Sequence, residues 1–131
     1  KKKFSLRKHK NKCEIDFVIN QFQGNQINFL DFGAGWGHWL NSGENRKYYP
    51  YALEMSKYRQ KYISKLGIDI IDYKNLGKYK NFFHFIRMDQ VVEHVDEFKD
   101  IFILIKKMAK KIVFFISQFL MEEILLKINQ K

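Results

Sequence analysis

An α/β fold, with an open and mostly parallel sheet flanked by helices, is what this 131-residue sequence predicts, and three observations predict it. Asn28 to Leu40 reads NFLDFGAGWGHWL, an apolar run followed by Gly33, Gly35 and Gly37 at every second position. Continuous apolar runs, as expected for strands buried on both faces, alternate along the chain with segments of helical period. The first four runs end at or beside an acid: Asp31, Glu54, Asp72 and Asp89. Strand, glycine turn and helix start together make a place where backbone approaches a ligand closely. Glycine has no Cβ and accepts positive φ, and the N–H groups of a following helix would face the same spot. A nucleotide-like cofactor is expected there.

Taken in order, Phe4 to Gly24 is basic and then amphipathic, with Ile15, Val18, Ile19 and Phe22 at helical spacing. A helix leading into the sheet is expected, ended by Gln23, Gly24 and Asn25. The first strand follows over Gln26 to Phe32, and after the glycines a helix should run over His38 to Ser42 and end near Gly43. Tyr48 to Glu54 reads as a second strand, entered past the only proline, Pro50. Ser56 caps the next helix, whose Tyr58, Tyr62, Ile63 and Leu66 make an apolar stripe, with Gly67 at the C′ position. Ile68 to Tyr73 is a third strand, Lys74 to Asn81 a polar connection, and Phe82 to Met88 a fourth strand. Asp96 caps a helix with an apolar face of Phe98, Ile101, Phe102, Ile105 and Met108, and lysines gather at its C-terminal end, where the dipole favours cations. Ile112 to Ile116 is a fifth strand and Glu122 to Ile128 a short last helix. The alternation is that of an open parallel sheet with right-handed crossovers.

Composition bounds the function. A hydrophobic content of 46% with 17% aromatic residues argues for a folded chain rather than disorder. One domain is expected over residues 1–131, with 1–25 as a basic helical lead-in and 26–131 as the core. The chain starts at Lys1 without methionine, which reads as a fragment. The formal charge of +10 comes mainly from lysines scattered through every segment, although seven of the first twelve residues are basic. That cluster admits a nucleic-acid or anionic-membrane surface, but few arginines, the better phosphate ligands, favour solvated lysines instead. Cys13 is the only cysteine, so no internal disulfide or cysteine-based zinc site forms, and a cytoplasmic setting fits. The longest apolar stretches, 101–105 and 112–116, are too short to span a bilayer.

In an open parallel sheet the ligand lies beyond the carboxyl ends of the strands, near the switch point. The acids at those ends, with Gln90, therefore converge on one cleft beside the glycine turn. Glu54 lies 17 residues beyond Gly37, where a carboxylate can accept from both ribose hydroxyls. An acid merely solvated at a strand end is the alternative. The dinucleotide pattern G-x-G-x-x-G would need glycine at 38, where this chain has His38.

The G-x-G-x-G spacing with Asp31 ahead of it resembles the first motif of the class I S-adenosylmethionine-dependent methyltransferases. Tyr51 to Ile68, YALEMSKYRQKYISKLGI, resembles their second-motif region, and Ile86 to Phe98, IRMDQVVEHVDEF, the region after their fourth strand, in the subgroup with Gln before a Val-x-Glu-His-Val run. The matched stretches cover Phe29 to about Ile116. The resemblance implies a Rossmann-like fold, S-adenosylmethionine as cofactor and methyl transfer to a small-molecule or sugar-derived acceptor. It implies that Asp31 and the backbone of Gly33, Ala34, Gly35, Trp36 and Gly37 hold the methionine part. Glu54 would hold the ribose, Met55 pack on the adenine, Asp72 approach its amino group, and Asp89 with Gln90 form the floor beside the sulfonium. Trp36 is either a lid on the cofactor loop or partly packed in the core, the latter preferred. An oxygen acceptor would also need a base, for which His94 is the best-placed residue and Glu93 a weaker one. Gln90 stands where some related RNA-tail methyltransferases have a metal-binding acid, so no metal is expected.

Two departures from the family qualify these expectations. His84 stands where the family usually has aspartate. After the fifth strand the usual proline and antiparallel strand pair are not recognisable, so the sheet reads as truncated there, with an open edge that could pair with another chain. An RNA methyltransferase and a non-catalytic or decayed cofactor-binding relative are the rival readings.

Overall fold

The computed structural model describes residues 2–22, 26–43, 47–89, 98–110 and 114–116. Among them five strands form one parallel sheet: β1 (Ile27–Phe32), β2 (Tyr48–Leu53), β3 (Asp69–Ile70), β4 (Phe85–Met88) and β5 (Phe114–Ile116), in the order β3-β2-β1-β4-β5. The chain winds out from β1 to β3 and then returns to the other side of β1 with β4. The switch point therefore lies between β1 and β4, as the predicted fold requires. Gln90, Glu93, His94, Asp96 and the helix expected over Glu122 to Ile128 lie outside the described residues.

Both faces of the sheet are buried, which is why its strands are continuously apolar. The period of two along β1 sends Ile27 and Phe29 to one face and Leu30 and Phe32 to the other. On the first face Phe29 stacks on Tyr48 and Trp39, with ring centroids 5.0 and 6.2 Å away, and leans on Phe85 at 5.3 Å. This face is covered by α1 (Lys2–Asn20) through Ile15 and Val18, and by α2 (Lys57–Lys65) through Ile63. The second face holds Leu53, Ile71, Leu76, Phe83, Ile86 and Met88 under Ile105 and Met108 of α3 (Phe98–Met108). Phe102, expected on the buried face of α3, is only half-buried, with the Lys106 ammonium 5.0 Å from its ring centre.

Pro50 lies inside β2 opposite Phe29. Ala52 turns its carbonyl to β3, where it accepts from the Ile71 N–H at 2.9 Å. Two residues earlier the backbone faces the same side, but β3 pairs only from Tyr51 onward, so the missing proline N–H costs no ladder bond. The local signals around α2 act as expected. Ser56 is its N-cap, accepting from the Arg59 N–H, and Gly67 follows the C-cap residue Leu66 with a φ of 74°.

Three elements differ from expectation. The helix over His38 to Ser42 is a series of turns instead, in which Asn41 N–H donates to Gly37 O and Ser42 N–H to Trp39 O. The carbonyls that would continue a helix are taken by side chains, the Ser42 hydroxyl bonding Trp39 O and the Tyr48 hydroxyl bonding Leu40 O. The third strand keeps only two residues, because Asp72 caps a 3-10 helix over Tyr73–Tyr79 through the Lys74 N–H. The fourth strand begins at Phe85 rather than Phe82, since the backbone of 81–83 pairs with the end of α3: Asn81 N–H with Lys107 O, and Phe82 and Phe83 N–H with Met108 O.

Among the described residues no helix is long and apolar enough to cross a membrane.

Candidate functional site

The C-terminal ends of β1, β2 and β4 carry the site, and the glycine turn sits over them. Gly33, Gly35 and Gly37 have φ of 82°, 59° and 72°, the left-handed region that side chains resist. Their N–H groups are not presented to solvent as a helix start would present them. Gly33 and Ala34 both donate to Leu53 O, at 2.8 and 3.0 Å, Gly35 donates to the Glu54 carboxylate at 2.9 Å, and Gly37 donates to Ala34 O. The turn is thus tied to the end of β2, and what it offers a ligand is close approach rather than a fan of donors.

That close approach is local to Gly35. A Cβ there would meet nothing within 4 Å, whereas a Cβ on Gly37 would press on Ile63 and Ile68 at 3.3 Å each. Gly35→Ala should therefore cost only the left-handed strain, about 1–2 kcal/mol, while placing a methyl group in the space a cofactor would fill. Gly37→Ala should cost more in thermal stability, because the crowding on α2 adds to the strain. Equal losses in the two variants would contradict this assignment.

Glu54 is the hinge of the arrangement. It is 9% exposed, and its two oxygens accept from different elements: Oε2 from Gly35 N–H at 2.9 Å and Oε1 from Ser56 N–H at 2.8 Å. Arg59 approaches Oε2 at 3.9 Å. A carboxylate has about four acceptor positions, so two remain for further donors. Glu54, Met55 and Asp72 line a single cavity of about 420 Å³, open to solvent and shared with Lys57, Gln60, Ile71, Tyr73 and Lys74. Met55 projects into solvent at 73% exposure, and Asp72 is exposed beyond its capping bond. Three residues singled out in the sequence are thus brought together.

Asp31 lies deeper. Register pairs Asp31 of β1 with Arg87 of β4, one layer above the Phe29 and Phe85 rings. The Asp31 carboxylate is 1% exposed, and Arg87 Nη1 donates to both its oxygens at 3.3 and 3.4 Å. Arg87 Nη2 donates to Asp89 at 2.8 Å, and the guanidinium lies 4.9 Å from the Trp39 ring centre. Burial pushes the Asp31 carboxyl up to about 6 against the lowering pull of Arg87, with Asp89 and Glu54 adding to the rise. Arg87 is the residue that sequence reading missed. A lone arginine in an apolar strand was the available signal, but its partner Asp31 is 56 residues away and visible only through register.

Trp36 is 38% exposed and belongs to neither of the two expected settings in full. It stands edge-on to Tyr58 and Tyr62 of α2, at 5.7 and 5.5 Å, with the Arg59 guanidinium 5.5 Å from its ring centre. The core tryptophan is Trp39, whose Nε1 donates to Glu14 at 2.9 Å and so fastens α1 to the loop.

His84 does work a carboxylate could do. Its Nδ1 accepts from Asn28 N–H at 2.9 Å, while its own N–H donates to Asn28 O at 3.0 Å, so it clamps β1 to the start of β4. Nδ1 must be unprotonated to accept, which puts the ring proton on Nε2. Burial and the nearby Lys110 ammonium lower its pKa below the ordinary 6.5. The unfolded chain therefore binds more protons just below pH 6.5, and this group's contribution to stability is complete above that pH and lost as pH falls through the folded pKa. In thermal melts taken from about pH 7.5 to about pH 5, His84→Asp should remove that loss while keeping the bond to Asn28. A wild-type protein that becomes more stable relative to the variant as pH falls would contradict the assignment.

Among the described residues no group of three or more His, Cys, Asp and Glu side chains is arranged to hold a metal ion.

No protein-family model matches the chain, and no curated protein matches it in sequence. Solved structures match its fold. A Methanococcus maripaludis protein, provisionally assigned as an S-adenosylmethionine-dependent methyltransferase, superposes with a TM-score of 0.59 at 18% identity, over 88% of this chain and 60% of that one. A SAM-dependent methyltransferase of Aquifex aeolicus gives 0.53 at 20% identity, over 72% of this chain and 57% of that one. The plantazolicin methyltransferase BpumL, solved with a substrate analogue and S-adenosylhomocysteine, gives 0.60 at 15% identity, over 82% of this chain and 44% of that one. The chain therefore spans less than two thirds of the length of each. Sheet order, switch point and superposition agree that this chain has the fold of the class I S-adenosylmethionine-dependent methyltransferases.

Proposed function

We propose that the chain binds S-adenosylmethionine and takes part in methyl transfer to a small-molecule or sugar-derived acceptor. The observation that carries the proposal is the single cavity lined by Glu54, Met55 and Asp72, beside a turn whose Gly35 leaves open space above it. The residues fit the cofactor. Glu54 has acceptor capacity left for ribose hydroxyls, Met55 supplies an apolar and adaptable surface for the adenine ring, and Asp72 offers a carboxylate to its amino group. Gly35 lets the methionine part pass close to the backbone.

The bound cofactor would supply a methyl group already activated on positive sulfur, so the protein needs chiefly to align an acceptor with it. The Arg87 network holds the floor of the site in one geometry by joining β1 to Asp89 at the end of β4. In this proposal Asp31 acts through Arg87 and the turn, as a positioning residue. Gln90 is proposed for the same floor, and His94 as the base where the acceptor atom is oxygen.

Of the two grounds for a decayed protein, His84 weakens as one, because its ring keeps β1 tied to the start of β4. The proposal is tested by incubating the full chain with methyl-labelled S-adenosylmethionine and a whole cell extract, then separating small molecules from RNA and protein. Label should appear in a small-molecule product, and Glu54→Ala should abolish it. Label appearing only in RNA would assign the acceptor to the rival class.

A further inference from the structure

A second cavity, of about 270 Å³, lies on the far side of the glycine turn, between α1 and the residues that follow Gly37. Arg7, Lys8 and Asn11 reach it from α1, His38 and Ser42 from the loop. No acid lines it. Neither Arg7 nor Lys8 pairs with a carboxylate among the described residues, whereas Lys10 and Lys12 pair with Glu14 and Asp16 along the helix.

Asn11 adds a polar side chain to the basic ones. Phe4, Asn11, Ile15 and Val18 fall on one stripe of α1 at spacings of seven, four and three. Ile15 and Val18 enter the core, but at Asn11 the stripe leaves it and borders the cavity. Asn11 is 9% exposed as a residue and borders the cavity. Phe4 continues the stripe yet stays 65% exposed, standing edge-on to the His38 ring at 6.1 Å. With Tyr62 it forms apolar walls beside the cationic end.

We propose that this cavity binds the phosphate of a small phosphorylated ligand, with Arg7, Lys8, His38 and the Asn11 amide as donors and the Phe4 and Tyr62 rings against the rest of the molecule. Convergence of donors from two elements on one concave space of about 270 Å³, near the lower end for small-ligand sites, favours a monoester over a polynucleotide. A phosphodiester backbone would be tracked by charges spread along a surface rather than by donors gathered round one cavity. Because His38 directly follows Gly37, occupancy of the cavity bears on the conformation of the glycine turn. The inference assumes nothing about methyl transfer.

The test is a titration of the full chain with inorganic phosphate and with ribose 5-phosphate, followed in proton–nitrogen correlation spectra. The Asn11 side-chain amide and the His38 backbone amide should shift and saturate, with ribose 5-phosphate the tighter ligand. Arg7→Gln, at an exposed position that should not disturb folding, should weaken binding about tenfold, as expected for one charge-assisted bond. Asn11→Asp should abolish it, and Lys3→Gln should leave it unchanged. Asp72→Asn, in the cofactor cavity and away from the glycine turn, should also leave it unchanged, so failure here is separable from failure of the cofactor site. No saturating shift, or equal binding by Arg7→Gln, would overturn the proposal. So would a short oligoribonucleotide that binds more tightly than ribose 5-phosphate and is weakened as much by Lys3→Gln as by Arg7→Gln.

Discussion

Replacing Arg87 by methionine should destabilise the protein by about 3–5 kcal/mol, the range for breaking a buried ion pair by removing one partner. Asp31 is 1% exposed and has Arg87 as its counter-charge, so the exchange leaves a buried carboxylate with nothing opposite it. Asp89 loses its 2.8 Å partner at the same time. The pair itself need not be worth this much, since the cost of the variant is mainly that of the charge left behind. The double variant Asp31→Asn/Arg87→Met separates the two. It should recover at least half of the loss in urea unfolding, because the orphaned charge is gone. Additive losses would show that Arg87 stabilises through its packing on Trp39 rather than through Asp31.

Asp31 makes the same argument visible in pH. Its carboxyl is raised from 3.8 to about 6 by burial. The folded state therefore binds more protons than the unfolded state between these values, and the stability contributed by this group is full below pH 3.8 and lost as pH rises through about 6. The melting temperature of the wild type minus that of Asp31→Asn should fall as pH rises through this window and level off above it. A difference that grows with pH would mean that Arg87 dominates burial.

Glu54→Ala should have the largest effect on ligand binding. It removes the acceptor for Gly35 N–H and Ser56 N–H together, untying the glycine turn from the start of α2. The loss of folding stability should be about 1–3 kcal/mol, since two backbone donors lose their partner at a site that is nearly buried. Affinity for S-adenosylhomocysteine should fall about a hundredfold, equivalent to two hydrogen bonds to a charged group at about tenfold each. Glu54→Gln should fall between, because an amide presents one acceptor oxygen where the site needs two. A Glu54→Ala protein that binds normally would show that the ribose lies elsewhere.

How much of this was legible in the sequence depends on whether the signal was local. Ser56 and Gly67 bracket α2 by their own backbone chemistry, and they were readable without any partner. The apolar runs gave the strands and their two-sided burial, and the acids at the strand ends gave Glu54 and Asp72 as neighbours across the cleft, with Met55 added by the resemblance. What failed was set by distant partners. The segment after the glycines has helical composition, yet Tyr48 takes the Leu40 carbonyl and the helix does not form. Trp36 and Trp39 are three residues apart in the same motif, and only the packing of the loop decides that Trp39 enters the core. Arg87 meets Asp31 through strand register, which a single strand does not display. The amides of the glycine turn look available in the sequence, but four of them are spent on Leu53, Ala34 and Glu54.

The central claim is that the cavity at the end of β2 and the open face of Gly35 form one cofactor site. Calorimetric titration of the full chain with S-adenosylhomocysteine, and separately with NADH, tests it most directly. Micromolar binding of one S-adenosylhomocysteine per chain, with no measurable affinity for NADH, is the predicted result. A folded chain that binds neither, or that prefers NADH, would contradict the claim.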